Sequence, residues 1–82
     1  MAKTFHLTIA KVGENLFEGD AVSATFPGVE GELTVLAQHE AFVTSLTAGV
    51  IRIEPSDGER IEVAITDSGV LEISNNQATV IL

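Results

Sequence analysis

Apolar side chains along this chain recur at every second position in short runs, and no window of eleven residues carries them at helical spacing. Phe5, Leu7 and Ile9 alternate with His6 and Thr8, the period of a strand with one buried face, and Ala10 and Val12 carry that strand toward Gly13. Leu16 and Phe17 lead to Gly19-Asp20, which reads as a turn. Val22, Ala24 and Phe26 then alternate as far as Pro27-Gly28. Gly31 opens Glu32-Leu33-Thr34-Val35-Leu36, with Leu33 and Val35 on one face and Glu32, Thr34 and Leu36 on the other. Residues Ala37 to Ala41 follow no period and read as a short irregular link. Phe42 to Leu46 returns to strand character, and Gly49 marks a break before Val50 to Glu54.

Pro55-Ser56-Asp57-Gly58 is the clearest local signal. Proline presets φ and the Asp-Gly pair supplies side-chain bonding and a permissive φ, so a β-hairpin is expected between Val50–Glu54 and Arg60–Ile65. Asp67-Ser68-Gly69 repeats the punctuation before Val70 to Ile73, and Asn75-Asn76 turns the chain into Ala78 to Leu82. Strands recurring every 8 to 12 residues predict an all-β fold, a flattened antiparallel β-sandwich or barrel of about ten short strands. No linker or repeat divides the chain, so residues 1–82 are read as a single domain. Because it closes on an apolar strand without a polar tail, two readings stay open: a cut inside a longer protein at Leu82, or a chain naturally of this length.

Composition narrows the picture. Hydrophobic residues make up 45% of the chain and all four aromatics are Phe, enough for a core built mostly of branched side chains. With 82 residues that core stays small and stability modest. The absence of cysteine removes disulfides and thiolate metal sites and points to an intracellular protein. Twelve acids against four bases give a charge of -8, a field that repels phosphate backbones and anionic lipid. Nucleic-acid binding and direct lipid insertion are therefore not expected, whereas a basic protein partner is compatible. The first residues lack the apolar core of a signal peptide, and no apolar run approaches the roughly 20 residues of a membrane span, so the chain is expected to be soluble when isolated.

Candidate chemistry is sparse. Ser23, Ser45, Ser56, Ser68 and Ser74 have no nucleophile-elbow setting, and His6 and His39 lie far apart in sequence. His6 alternates outward and reads as a surface side chain. Glu30, Glu32, His39 and Glu40 are metal-compatible types, but their spacing matches no closed metal loop. Gly28-Val29-Glu30-Gly31 carries a carboxylate where a phosphate cradle needs lysine. Without Trp or Tyr there is no stacking platform for sugars. Neither a cofactor nor a metal nor a catalytic residue is expected. What is left is an interaction domain whose best loops are the acidic turn at 28–32 and the link at 36–42. The glycines of that turn are explained equally well as turn residues. Phe42 is the one Phe placed to share core and contact surface.

The ordered set Phe5-His6-Leu7, Leu16-Phe17-Glu18-Gly19, Gly31-Glu32-Leu33, His39, Thr44, Gly49-Val50-Ile51-Arg52-Ile53, Ser68-Gly69-Val70-Leu71-Glu72-Ile73 and Ala78-Thr79-Val80 strongly resembles the N-terminal domain of the epsilon-subunit family of rotary F-type ATP synthases. The resemblance runs the full 82 residues without a gap. It implies a β-sandwich that performs no chemistry and rides on the central stalk of a proton-translocating ATP synthase, at the cytoplasmic face of a bacterial inner membrane. There it docks on the gamma subunit, stands on the c-ring, and helps couple rotation to ATP synthesis. By position, Gly28, Val29, Glu30, Gly31, Glu32 and Leu33 match the family's c-ring loop. Lys11, His39, Phe42 and Thr44 match its gamma-facing positions.

The sequence also departs from that family. Ala37-Gln38 stands where Pro-Gly commonly precedes the histidine, Glu40-Ala41 where a proline often follows it, and Ala48 where a proline usually precedes Gly49. The family's C-terminal helical hairpin has no counterpart here, so neither its inhibitory arm nor a small-molecule ligand is expected. The rival reading is a free-standing acidic β-sandwich adaptor for a basic protein.

Overall fold

All regular structure in the computed structural model, which describes residues 3–82, is β. Six strands follow in order: β1 (Phe5–Lys11), β2 (Glu14–Gly28), β3 (Gly31–Leu36), β4 (Phe42–Pro55), β5 (Ile61–Ser74) and β6 (Gln77–Ile81). The all-β reading holds, but the strand number does not reach ten, because three expected breaks are bends inside long strands. Gly19 and Asp20 lie within β2, paired with Leu7 and His6. Gly49 lies within β4, where the register with β5 slips between Thr47 and Gly49. Gly69 lies within β5, opposite Leu46. A chain reversal requires both flanking runs to leave the ladder together. Here the neighbouring strand pairs on both sides of each glycine, so the strand kinks and continues.

The strands close into a ring, β1-β6-β5-β4-β2 and back to β1, with β3 outside as a hairpin partner of β2. Pairing is antiparallel except between β1 and β6, which run parallel from His6↔Gln77 to Ala10↔Ile81. This corrects the expectation of a wholly antiparallel barrel. Five strands cannot alternate in direction all the way round a closed ring, so one pair must run parallel, and it is the pair of first and last strands.

The expected turns at 55–58 and 75–76 are where the ring reverses direction. The β4–β5 hairpin turns over residues 56–60 with Gly58 at φ +100°, and Asn75 and Asn76 both adopt positive φ, 52° and 60°, in a two-residue turn. On the ring strands Phe5, Leu7, Ile9, Ala24, Phe26, Leu46, Ile51, Ile53, Leu71, Ile73 and Val80 are buried, and Val35 of β3 joins the same core, as the alternating sequence pattern requires. Leu16, Phe17 and Leu33 pack against this core from its margin. Among the described residues no polar side chain is buried, and no helix is long and apolar enough to cross a membrane.

Candidate functional site

The acidic turn is built by backbone constraint. β2 ends at Gly28, passes over Val29-Glu30 and returns as β3 at Gly31. A Cβ at Gly28 would stand 2.7 Å from the Gly31 carbonyl oxygen and 2.9 Å from Leu33 Cδ2, and Gly31 itself has φ +127°. Both glycines are thus demanded by the tight hairpin. Contact chemistry at this end falls to Val29, Glu30 and Glu32, all exposed.

Two bonds pin the turn to β4. The Val29 N–H donates to the Ser45 carbonyl at 3.1 Å, and Arg52 Nη2 donates to Glu32 Oε2 at 2.8 Å. The second is an exposed ion pair, worth about 0–1 kcal/mol, and it orients Glu32 more than it stabilises the fold. Leu33 turns inward against the core.

The link at 37–41 is irregular, as expected. Gln38 has φ +65°, at the position where the resembled family commonly carries glycine, and its N–H donates to Asn76 Oδ1 at 2.8 Å. Asn76 in turn donates from Nδ2 to the Thr4 carbonyl at 2.9 Å, tying the link to the β5–β6 turn and the start of the chain. His39 Nδ1 donates to the Glu40 carbonyl at 2.8 Å. Its ring meets that of Phe42 at a centroid separation of 6.2 Å and a tilt of 55°, within the range of favourable aromatic pairs.

Phe42 is 43% exposed and Val43 65% exposed. With Thr44 they form one wall of an open groove of about 400 Å³, whose other wall is Gly28, Glu30, Gly31, Glu32 and Leu33. Most of the two sets of expected contact residues therefore share one groove. Val29 sits beside it at the turn, and His39 borders it through Phe42. Lys11 is not among them: it pairs with Glu14 at 3.6 Å and lines a separate groove with Leu16, Asp67 and Leu82.

Val43 is absent from the expected contact set. Its signal is an apolar residue at an outward position of an alternating strand, opposite Glu72. Val70 and Ile81, paired across β5 and β6, are a second such case, at 46% and 56% exposed.

Among the described residues no group of three or more His, Asp or Glu side chains is placed to hold a metal. The groove is shallow, acid-rimmed and partly apolar, an arrangement suited to another protein's surface.

Comparison with known proteins follows the same line. Residues 4–82 match the family model described as ATP synthase, Delta/Epsilon chain, beta-sandwich domain. The chain is 40% identical over 79 residues to the ATP synthase epsilon chain of a Nitratiruptor species, an alignment covering 96% of this chain and 60% of that one. It thus spans less than two thirds of that relative's length. Its fold is similar to a chain of the Euglena gracilis mitochondrial ATP synthase, with TM-score 0.86, 24% identity and coverage of 95% of this chain and 49% of that one. A chain in the central stalk and c-ring structure of the Tetrahymena thermophila mitochondrial ATP synthase gives TM-score 0.76 at 16% identity, covering 98% of this chain and 63% of that one. At these identities the structural likeness is one of fold.

Proposed function

The chain belongs to the β-sandwich domain family of the ATP synthase delta and epsilon chains, and from that membership we propose that it serves as a non-catalytic part of the central stalk of a proton-translocating F-type ATP synthase. In this reading it docks on the gamma subunit and stands on the c-ring, peripheral at the cytoplasmic face of a bacterial membrane. The observation that carries it is the family match along residues 4–82, joined to sequence identity with a bacterial epsilon chain.

The physical form of the domain suits such a role. A closed ring resists shear because every strand of it is hydrogen-bonded on both sides along at least part of its length, so torque applied at one surface reaches another without deforming the body. Phe42, exposed on the groove wall, offers apolar area to gamma, at about 25 cal/mol per Å² removed from water. Glu30 and Glu32 offer carboxylates to basic groups on c-ring loops, where exposed pairs give orientation at about 0–1 kcal/mol each. His39 and Thr44 extend the gamma-facing side. Lys11, in its separate groove, would meet gamma only if that subunit wraps beyond the Phe42 face.

Capture of the gamma subunit from the same organism tests the reading. A stoichiometric complex at micromolar concentration is expected, and no complex at that concentration would overturn it.

A further inference from the structure

The first residues of β4 have a strand partner on one edge only. Phe42, Val43 and Thr44 pair with Ile73, Glu72 and Leu71 of β5. On the other edge β2 accompanies β4 from Pro55 to Leu46 and then turns away at Gly28, its last bond being Val29 N–H to the Ser45 carbonyl. Backbone groups alternate in direction along a strand, so a Ser45 carbonyl that faces β2 places the N–H and C=O of Val43 on that same side. Among the described residues no backbone group meets them there. They open beside the groove walled by Phe42 and Val43 on one side and by Leu33, Glu30 and Glu32 on the other.

Charge selects the occupant. No Lys or Arg lines the groove, and Arg52, the cation bonded to its rim, is held by Glu32. Glu30 has no ion-pair partner among the described residues. A second copy of this chain would bring another charge of -8 against the same rim. We propose that the groove seats an extended segment of a basic partner chain, which adds a short strand to the free edge at Val43 and sets a Lys or Arg beside Glu30. This rests on the docking face described above and gives it a binding mode. Main-chain bonds to Val43 fix direction and register, while alternate side chains of the segment meet Phe42 and the carboxylates.

The probe is the peptide acetyl-Lys-Val-Lys-Val-Lys-amide, added to the ¹⁵N-labelled chain. Saturable shifts confined to the amides of Val29, Glu30, Val43 and Ser45 are expected. N-methylation of the backbone nitrogen of the central lysine should weaken binding about five- to tenfold, the scale of one lost hydrogen bond. The variant Val43→Pro removes the outward N–H while leaving the β5 side of the ladder, and should weaken the unmodified peptide to a similar degree. Shifts spread over the acidic surface, equal binding of the N-methylated peptide, equal binding of a Glu-for-Lys peptide, or self-association of the chain through this face would each overturn the proposal. A chain that captures gamma yet ignores the peptide loses strand addition and keeps its docking face. A chain that does neither loses both.

Discussion

His6 stands between two carboxylates of the neighbouring strand, with Nδ1 3.3 Å from Asp20 Oδ1 and Nε2 3.3 Å from Glu18 Oε2. Only the imidazolium donates to both at once. On its other side β6 presents Gln77 and, diagonally, Thr79, neither of them charged. The bond to Asp20 and then that to Glu18 raise the His6 pKa above its ordinary value of about 6.5. A raised folded-state pKa means the contribution to stability is complete below that ordinary value and disappears as pH rises through the folded one. Because the group is exposed the effect is small. Thermal midpoints followed from pH 5 to 9 should fall more for the wild type than for His6→Gln across this window, and parallel curves would contradict the bridge. Proton NMR of the His6 ring should give a pKa above that of the same histidine in a Glu18→Gln, Asp20→Asn double variant.

At the scale of elements, the hairpin tip carries the docking face on two glycines. Gly28→Ala would place a methyl group 2.7 Å from the Gly31 carbonyl, a backbone atom that cannot swing aside, so a loss of about 1–3 kcal/mol is expected in urea unfolding. Glu30→Ala, at an exposed position, should leave the midpoint unchanged. This separation was only half legible in the sequence. Alternation identified the buried face at Phe5, Leu7 and Ile9 of β1, at Ala24 and Phe26 of β2 and at Leu33 and Val35 of β3, because a one-sided core enforces the period. The hairpins at 55–58 and 75–76 were legible because their turn residues act locally. Gly19, Gly49 and Gly69 misled because the same residue type serves a bend as well as a turn, and the choice depends on which strand pairs alongside. At Gly49 that neighbour is Pro27, whose Cβ would lie 3.0 Å from an added methyl group. The shared groove was invisible for the same reason: Glu30 and Phe42 are brought together by β4 pairing with β2, not by sequence proximity.

For the whole molecule, closure makes the two ends of the chain interdependent. β6 is hydrogen-bonded to both β1 and β5, and the Leu82 N–H donates to the Ala10 carbonyl at 2.9 Å. Truncation after Asn76 removes Ala78 and Val80 from the core and opens the ring, so cooperative thermal unfolding by circular dichroism should be lost; a retained sharp transition would show that the other five strands suffice. A body closed in this way presents its groove as a fixed shape, and the proposed division of labour on that shape is apolar attachment to gamma through Phe42 with carboxylates turned to the c-ring. Titration calorimetry of the isolated gamma subunit against Phe42→Asp and Glu32→Ala tests this most directly. Phe42→Asp should weaken binding tenfold or more, about 1.4 kcal/mol or above, while Glu32→Ala should change it by less than about 1 kcal/mol. Equal losses in the two variants would contradict it.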